Sequence, residues 1–320
     1  MSQADDHSQA LTGVRCYFFP MAPPSSLRGM ALLALATIRA VLVILRTRPR
    51  VTFATGGYVS TPAAVASWLL RVPVVLFLPD VVPGKAVGWL APVARRIAAS
   101  TEEALLHLPA DKTVVTGYPV RDVFTAGRDP MARTRFQLPA DGTVLLVVGG
   151  SQGARSINDA VARLLPDLLS RYHLIHVCGE QRYEEARAAA IGLPEDRQAR
   201  YRLHPYLDGD DMAAAFGSAD LVLSRAGASV LGELPAMGTP AVLVPFPAPG
   251  VHQRANADYL AKRGAAVVVD DTDLTDRLGP VLEELLDDRV RLHRMARACQ
   301  ALARPEAAAT IAALLTREAA

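Results

Sequence analysis

Cysteine is scarce in this 320-residue chain: Cys16, Cys178 and Cys299 stand far apart and make no CxxC pair. That usage offers neither a disulfide framework nor a zinc site, and it fits a reducing cytosol. No secretory leader is legible, because the opening residues MSQADDHSQA are polar and acidic where a leader is basic and then apolar. Residues 1–12 read as a loose tail. An uninterrupted membrane-length apolar run is also missing, since the stretch 27–45 carries Arg28 at its start and Arg39 in its middle. An arginine at mid-bilayer is costly and the runs beside Arg39 are too short to span, so a transmembrane helix is rejected. A helix packing a Leu and Ile face into a core is expected there, with contact to a membrane surface beside Arg46, Arg48 and Arg50 as the alternative. Short-period repeats and low-complexity segments are absent too.

What is present is globular. Hydrophobic residues make up 51% and charged residues 21%, which excludes a disordered or fibrous chain, and the length suits two domains. The net charge of +2 is unevenly spread: residues 1–123 hold 12 Lys and Arg against 7 Asp and Glu, the remainder 22 against 25. The first half is therefore the one suited to an anionic surface, with no nucleic acid expected as a partner.

Short β-type runs alternate with helical segments from end to end. In the first half the expected strands are 14–19, 51–54, 74–78, 97–100 and 113–116, with helices over 29–46, after Pro62 and after Gly84. A polar connection over 125–142 interrupts the pattern, which restarts with strands at 143–148, 173–178, 201–204, 221–224, 241–245 and 265–269. The order implies an α/β fold with two parallel, doubly wound sheets. The boundaries are set at 13–136 for an N-terminal domain, 137–305 for a C-terminal one and 306–320 for a terminal helix.

Residues 144–158 read VLLVVGGSQGARSIN, an apolar strand running into a glycine turn and then a helix. Glycines let the backbone approach a ligand closely, and the N–H groups and positive dipole end of the helix favour an anion, so this is the build of a phosphate cradle. The order GGSQG is not the GxGxxG of dinucleotide enzymes. Two further strand ends carry polar clusters. After 221–224 comes SRAGAS and a helix bearing Glu233, a carboxylate suited to a ribose diol. After 241–245, His252, Gln253 and Asn256 open another helix, where amides suit sugar hydroxyls by both donating and accepting. Two Asp-x-Asp strings, 208–210 and 271–273, precede helix-like segments and are expected to cap them rather than hold a metal.

GGSQGARSIN, SRAGASVLGEL and HQRAN, in this order and spacing, resemble the nucleotide-sugar half of the MurG family, GT-B glycosyltransferases that move N-acetylglucosamine from UDP-N-acetylglucosamine (UDP-GlcNAc) onto a lipid-linked peptidoglycan precursor. TGGYVSTP (55–62), VPG (82–84) and VTGYPVR (115–121) resemble segments of that family's other half, so the likeness covers most of residues 40–275. It implies a GT-B fold of two Rossmann-like domains, the first incomplete, and an inverting transfer that uses no metal and no cofactor. Carried over, it implies that Gly150, Ser151, Gln152 and Gly153 hold the donor diphosphate with Arg121, and that Glu233 binds the ribose. Gly227, Ala228 and Ser229 would lie along the nucleotide, with Gln253 and Asn256 reading the sugar beside His252. The implied partners are UDP-GlcNAc, a lipid-linked diphosphate acceptor and the inner face of the cell membrane, on which a cytoplasmic enzyme would sit peripherally.

The departures lie in the acceptor half. The family's opening strand and second glycine loop, GGTGGH, have no counterpart here, so a longer reading frame or a separate polypeptide is expected to supply that unit. The family's HEQN is replaced by Phe77, Leu78, Pro79 and Asp80, and the Asn of its GNPVR by Tyr118. Asp80, a carboxylate at a buried strand end, is the candidate catalytic base. The alternative function is a nucleotide-sugar binding module that is inactive without a partner. An epimerase on the same plan would need acids and histidines flanking the sugar from both halves, and the first half holds few.

Overall fold

The computed structural model describes residues 15–19, 26–129, 131–149, 154–248 and 252–320. Its first body runs α1 (Leu27–Thr47), β1 (Thr52–Ala54), α2 (Gly57–Leu69), β2 (Val74–Leu78), α3 (Lys85–Leu90), β3 (Arg96–Ala99) and β4 (Thr113–Val115). The strands form one parallel sheet in the order β1-β2-β3-β4. β2, reading VVLFL, is buried throughout, as a central parallel strand covered on both faces must be. Ser26 starts α1 by accepting from the Gly29 N–H at 3.1 Å, and Arg48 ends it in the left-handed region at φ 46°.

The second body runs β5 (Val144–Val148), α4 (Arg155–Arg171), β6 (His173–Val177), β7 (Tyr201–His204), α5 (Gly209–Ser218), β8 (Leu221–Ser224), α6 (Val230–Met237), β9 (Ala241–Leu243), α7 (Gln253–Lys262) and β10 (Ala266–Val268). Its sheet is parallel in the order β10-β9-β8-β5-β6-β7. The chain therefore lays strands outward from β5 to β7, then returns to the other side of β5 to begin again at β8. That reversal opens a crevice between the carboxyl ends of β5 and β8, the place where open α/β sheets hold ligands.

Two segments cross between the bodies. The connection after β4 packs on the second body, with Phe124 edge-on to Phe216 at 5.6 Å and Arg128 donating to the Met237 and Ala219 carbonyls. After α8 (Leu274–Asp287) and α9 (Arg289–Gln300), helix α10 (Ala307–Ala319) returns to the first sheet. There Ile311 packs with Phe77 and Ala98, and Glu318 pairs with Arg95 and Arg96 at 3.4 and 3.2 Å.

The expected strand at 14–19 does not form over residues 15–19, and Val14 lies outside the described residues. Tyr17 and Phe18 are exposed, and no neighbouring strand pairs with them. β propensity alone does not make a strand. The helix expected after Pro62 begins earlier, at Gly57, and keeps the proline inside with its ring buried. The remaining expected strands are found within a residue or two of their expected ends.

Candidate functional site

A cavity of about 960 Å³ opens over the crevice between β5 and β8, a size suited to a small organic ligand of several rings. Val148 and Gly149 line it from the end of β5, and Ala154, Arg155, Ser156 and Asp159 from the start of α4. Tyr206 and Leu207 enter after β7, Ser224, Arg225 and Gly227 after β8, and Ser229 and Glu233 from α6. Arg121, Phe246, Gln253 and Asp271 also line it.

Five of the residues singled out from sequence thus meet around one space: Arg121, Gly227, Ser229, Glu233 and Gln253. Ala228 lies between two of them and is half-buried. Gly150, Ser151, Gln152 and Gly153 lie outside the described residues, although Gly149 and Ala154 on either side of them both face the cavity.

The wall carries charges of both signs. Arg121 lies over the Phe124 ring at 5.4 Å and forms no ion pair among the described residues. Burial pushes the Glu233 carboxyl above the usual carboxylate range, while the Ser229 hydroxyl and Arg121 pull it back down. Burial also raises the Tyr118 phenol, helped by the nearby carboxylates of Glu233 and Asp80. Gln253 uses its carboxamide oxygen to accept from the N–H groups of Phe246 at 2.9 Å and Ala226 at 3.3 Å, which leaves its NH₂ to donate to a ligand.

His252 and Asn256 do not line the cavity. His252 turns to the first body, its Nε2 only 3.2 Å from where a Cβ on Gly84 would stand. Asn256 is fully buried and spends its carboxamide between the bodies: Oδ1 accepts from the Val81 N–H at 3.0 Å, and Nδ2 donates to Asp80 Oδ1 at 2.8 Å and to the Ala226 carbonyl at 3.0 Å. Asp80 is therefore held at the junction of the two bodies, outside the cavity wall.

Sequence reasoning passed over a cluster that braces this wall. Arg225 donates to Asp271, to Ser156 Oγ at 2.8 Å and to the Val244 carbonyl at 3.2 Å, and it lies over the Phe246 ring at 5.2 Å. Asp271 also accepts from Ser156 Oγ at 2.7 Å. Its carboxylate is thus committed to Arg225 and Ser156, and the cap expected of 271–273 is not what it makes; a short polar string shows no sign of a partner 46 positions away. Asp208 does cap as expected, accepting from the Asp211 N–H at 3.0 Å at the start of α5. Arg225 itself was visible in the SRAGAS run, but its neighbours were not.

Comparison with known proteins agrees with this geometry. The model of the glycosyltransferase family 28 C-terminal domain matches residues 144–311, and that of the family's N-terminal domain matches residues 17–99. A relative from Roseiflexus sp. (strain RS-1), named UDP-N-acetylglucosamine--N-acetylmuramyl-(pentapeptide) pyrophosphoryl-undecaprenol N-acetylglucosamine transferase, is 43% identical over 331 aligned residues, covering 92% of this chain and 75% of its own length. A protein of the same name from Salinibacter ruber is 40% identical, with coverage of 82% and 70%. Among solved structures, Acinetobacter baumannii MurG superposes with a TM-score of 0.76 at 26% identity, covering 98% of this chain and 87% of the other. A UDP-GlcNAc 2-epimerase from Neisseria meningitidis shares the fold alone, at 14% identity and a TM-score of 0.68. By family model and by relatives alike, the chain belongs to glycosyltransferase family 28.

Proposed function

We propose that this chain transfers N-acetylglucosamine from UDP-GlcNAc to a lipid-linked N-acetylmuramyl-pentapeptide diphosphate. The observation that carries the reading is one cavity at the strand-order reversal lined by Arg121, which forms no ion pair among the described residues, by a half-buried Glu233 and by the Gln253 carboxamide, in a chain whose relatives bear that activity in their names. The diphosphate lies between Arg121 and the start of α4, where the guanidinium and the helix N–H dipoles stabilise charge on the leaving UDP without a metal. Glu233 accepts from the ribose hydroxyls. An acceptor hydroxyl oxygen bonds to the anomeric carbon from the opposite face as the bond to the diphosphate oxygen breaks, inverting that centre. Asp80 is the proposed base: Asn256 fixes its Oδ1, and Oδ2 is left to take the hydroxyl proton.

Titration with UDP-GlcNAc tests the donor site. Glu233→Ala is expected to weaken binding about 10- to 100-fold, the worth of charged hydrogen bonds in a buried site. Equal binding by wild type and variant, or binding by neither, would sink the assignment.

The proposed seat on the membrane is α1. One face buries Ala36, Ala40 and Ile44, the last two packed with Ala66 of α2, while Leu35, Ile38, Leu42 and Leu45 stand 42–62% exposed at helical spacing beside exposed Arg39 and Arg46. An apolar stripe flanked by arginines suits the interface of an anionic bilayer, and it supports a peripheral position on the inner leaflet. Ile38→Asp with Leu42→Asp should reduce cosedimentation with anionic vesicles at least about tenfold while UDP binding is kept. Vesicle binding at the wild-type level would remove α1 from the proposal.

One observation favours a second reading, in which a separate polypeptide completes the first body. β1 is an edge strand of three residues, and among the described residues nothing pairs with its outer side. The chain spans about three quarters of the Roseiflexus relative. Turnover of both substrates by the isolated chain would dismiss this reading.

A further inference from the structure

The cavity wall rests on a buried polar chain to which the mechanism above gives no part. Asn158, in the second turn of α4, is buried and donates from Nδ2 to the Cys178 carbonyl at 2.8 Å, just past the end of β6. Its Oδ1 can only accept, and His176 Nε2 stands 3.1 Å away, so the imidazole carries its proton there. His176 Nδ1, left with a lone pair, accepts from the Tyr201 hydroxyl at 2.8 Å on β7. Burial alone lowers the His176 pKa to about 4, which keeps the ring neutral and the three-residue chain in one hydrogen-bonding pattern.

Helix packing by itself does not call for these residues. Ile157 and Val161 beside Asn158 already bury α4 against the sheet, and an asparagine inside a helix is a poor helix former. Apolar side chains hold a helix down but let it slide by fractions of an ångström, whereas directional hydrogen bonds fix one register. The register matters because both ends of the chain serve the cavity. On the α4 side stand Arg155, Ser156 and Asp159, and on the β6 and β7 side Val177, Tyr206 and Leu207.

We propose that Asn158 and His176 are positioning residues for donor binding, tying the helix wall that follows the phosphate loop to the wall built by the ends of β6 and β7. The proposal rests on the nucleotide-sugar reading of the cavity and adds to it the device that sets its width. Neither residue touches the ligand. Their loss is felt in how well the preformed space fits UDP, and hardly in the chemical step once the donor is seated.

The test combines titration with UDP and steady-state kinetics in UDP-GlcNAc at saturating acceptor. His176→Leu and Asn158→Leu should raise Kd and donor KM about tenfold with kcat within about twofold. His176→Gln, whose amide can donate to Asn158 Oδ1 in place of Nε2, should return to within about threefold of wild type. Folded Leu variants with unchanged Kd would overturn the proposal, as would a Gln variant as weak as the Leu variant. Should the Leu variants fail to fold, Tyr201→Phe decides: removal of one hydroxyl is expected to raise Kd about threefold, and an unchanged Kd overturns the idea. A wild-type chain that does not bind UDP would overturn the nucleotide-sugar reading itself, and this inference with it.

Discussion

Arg121→Ala should lower kcat for transfer from UDP-GlcNAc by about a hundredfold to a thousandfold, the cost of removing a preorganised charge from a developing oxyanion. The guanidinium lies over Phe124, its Nη1 comes within 2.9 Å of where a Cβ on Gly209 would stand, and among the described residues it forms no direct ion pair, Glu233 being its nearby carboxylate. A cation held in place with no direct ion pair among the described residues gains most when negative charge grows in front of it, as it would on a departing diphosphate. Arg121→Lys keeps the charge but loses the planar fork, so it should recover only part of the rate. Steady-state kinetics check both, and a kcat within a few-fold of wild type in the alanine variant would remove Arg121 from the diphosphate seat.

Asn256→Leu is expected to cost about 3–5 kcal/mol of stability, because it strands a buried N–H on Val81 and a buried carbonyl on Ala226 and takes away a donor to Asp80. Asn256→Asp should fare no better. Its carboxylate still accepts from Val81, but the group that faced Asp80 and Ala226 as a donor becomes a charged acceptor against two acceptors. Thermal melting of both variants is the check. A melting temperature within about 2 °C of wild type in the leucine variant, well under the shift such a loss implies, would show that the bracket carries no load.

These two residues mark what was legible before the structure and what was not. Strands such as β2 and β8 could be read because a covered parallel strand is a short apolar run between turn residues, and that pattern is local. Glu233 and Gln253 could be read because they sit in helices that follow strands and topology then carries them to one edge, whereas Arg121 was implied only by the likeness of VTGYPVR to a family segment. Asn256 stood in the same run as Gln253 but faces the other body, since its partners Asp80 and Val81 lie 176 and 175 positions earlier. No spacing within a segment encodes such a pairing. The same holds for Arg225 and Asp271, and for α1, whose apolar residues surround the helix so that only the docked neighbour α2 decides which face stays bare. The chain Asn158–His176–Tyr201 was illegible because its members look like ordinary helix and strand residues until the strands are aligned.

The return of α10 to the first sheet has a mechanical consequence. The polypeptide passes between the bodies once after β4 and again before α10, and these passages touch: a Cβ on Gly117, which holds φ at +90°, would stand 2.4 Å from the Cβ of Arg304. Two covalent crossings side by side behave as a door hung on paired pins rather than as a ball on a tether. Rotation about the line through them is the relative movement that such a paired connection restrains least, while twist and shear are opposed by both crossings at once.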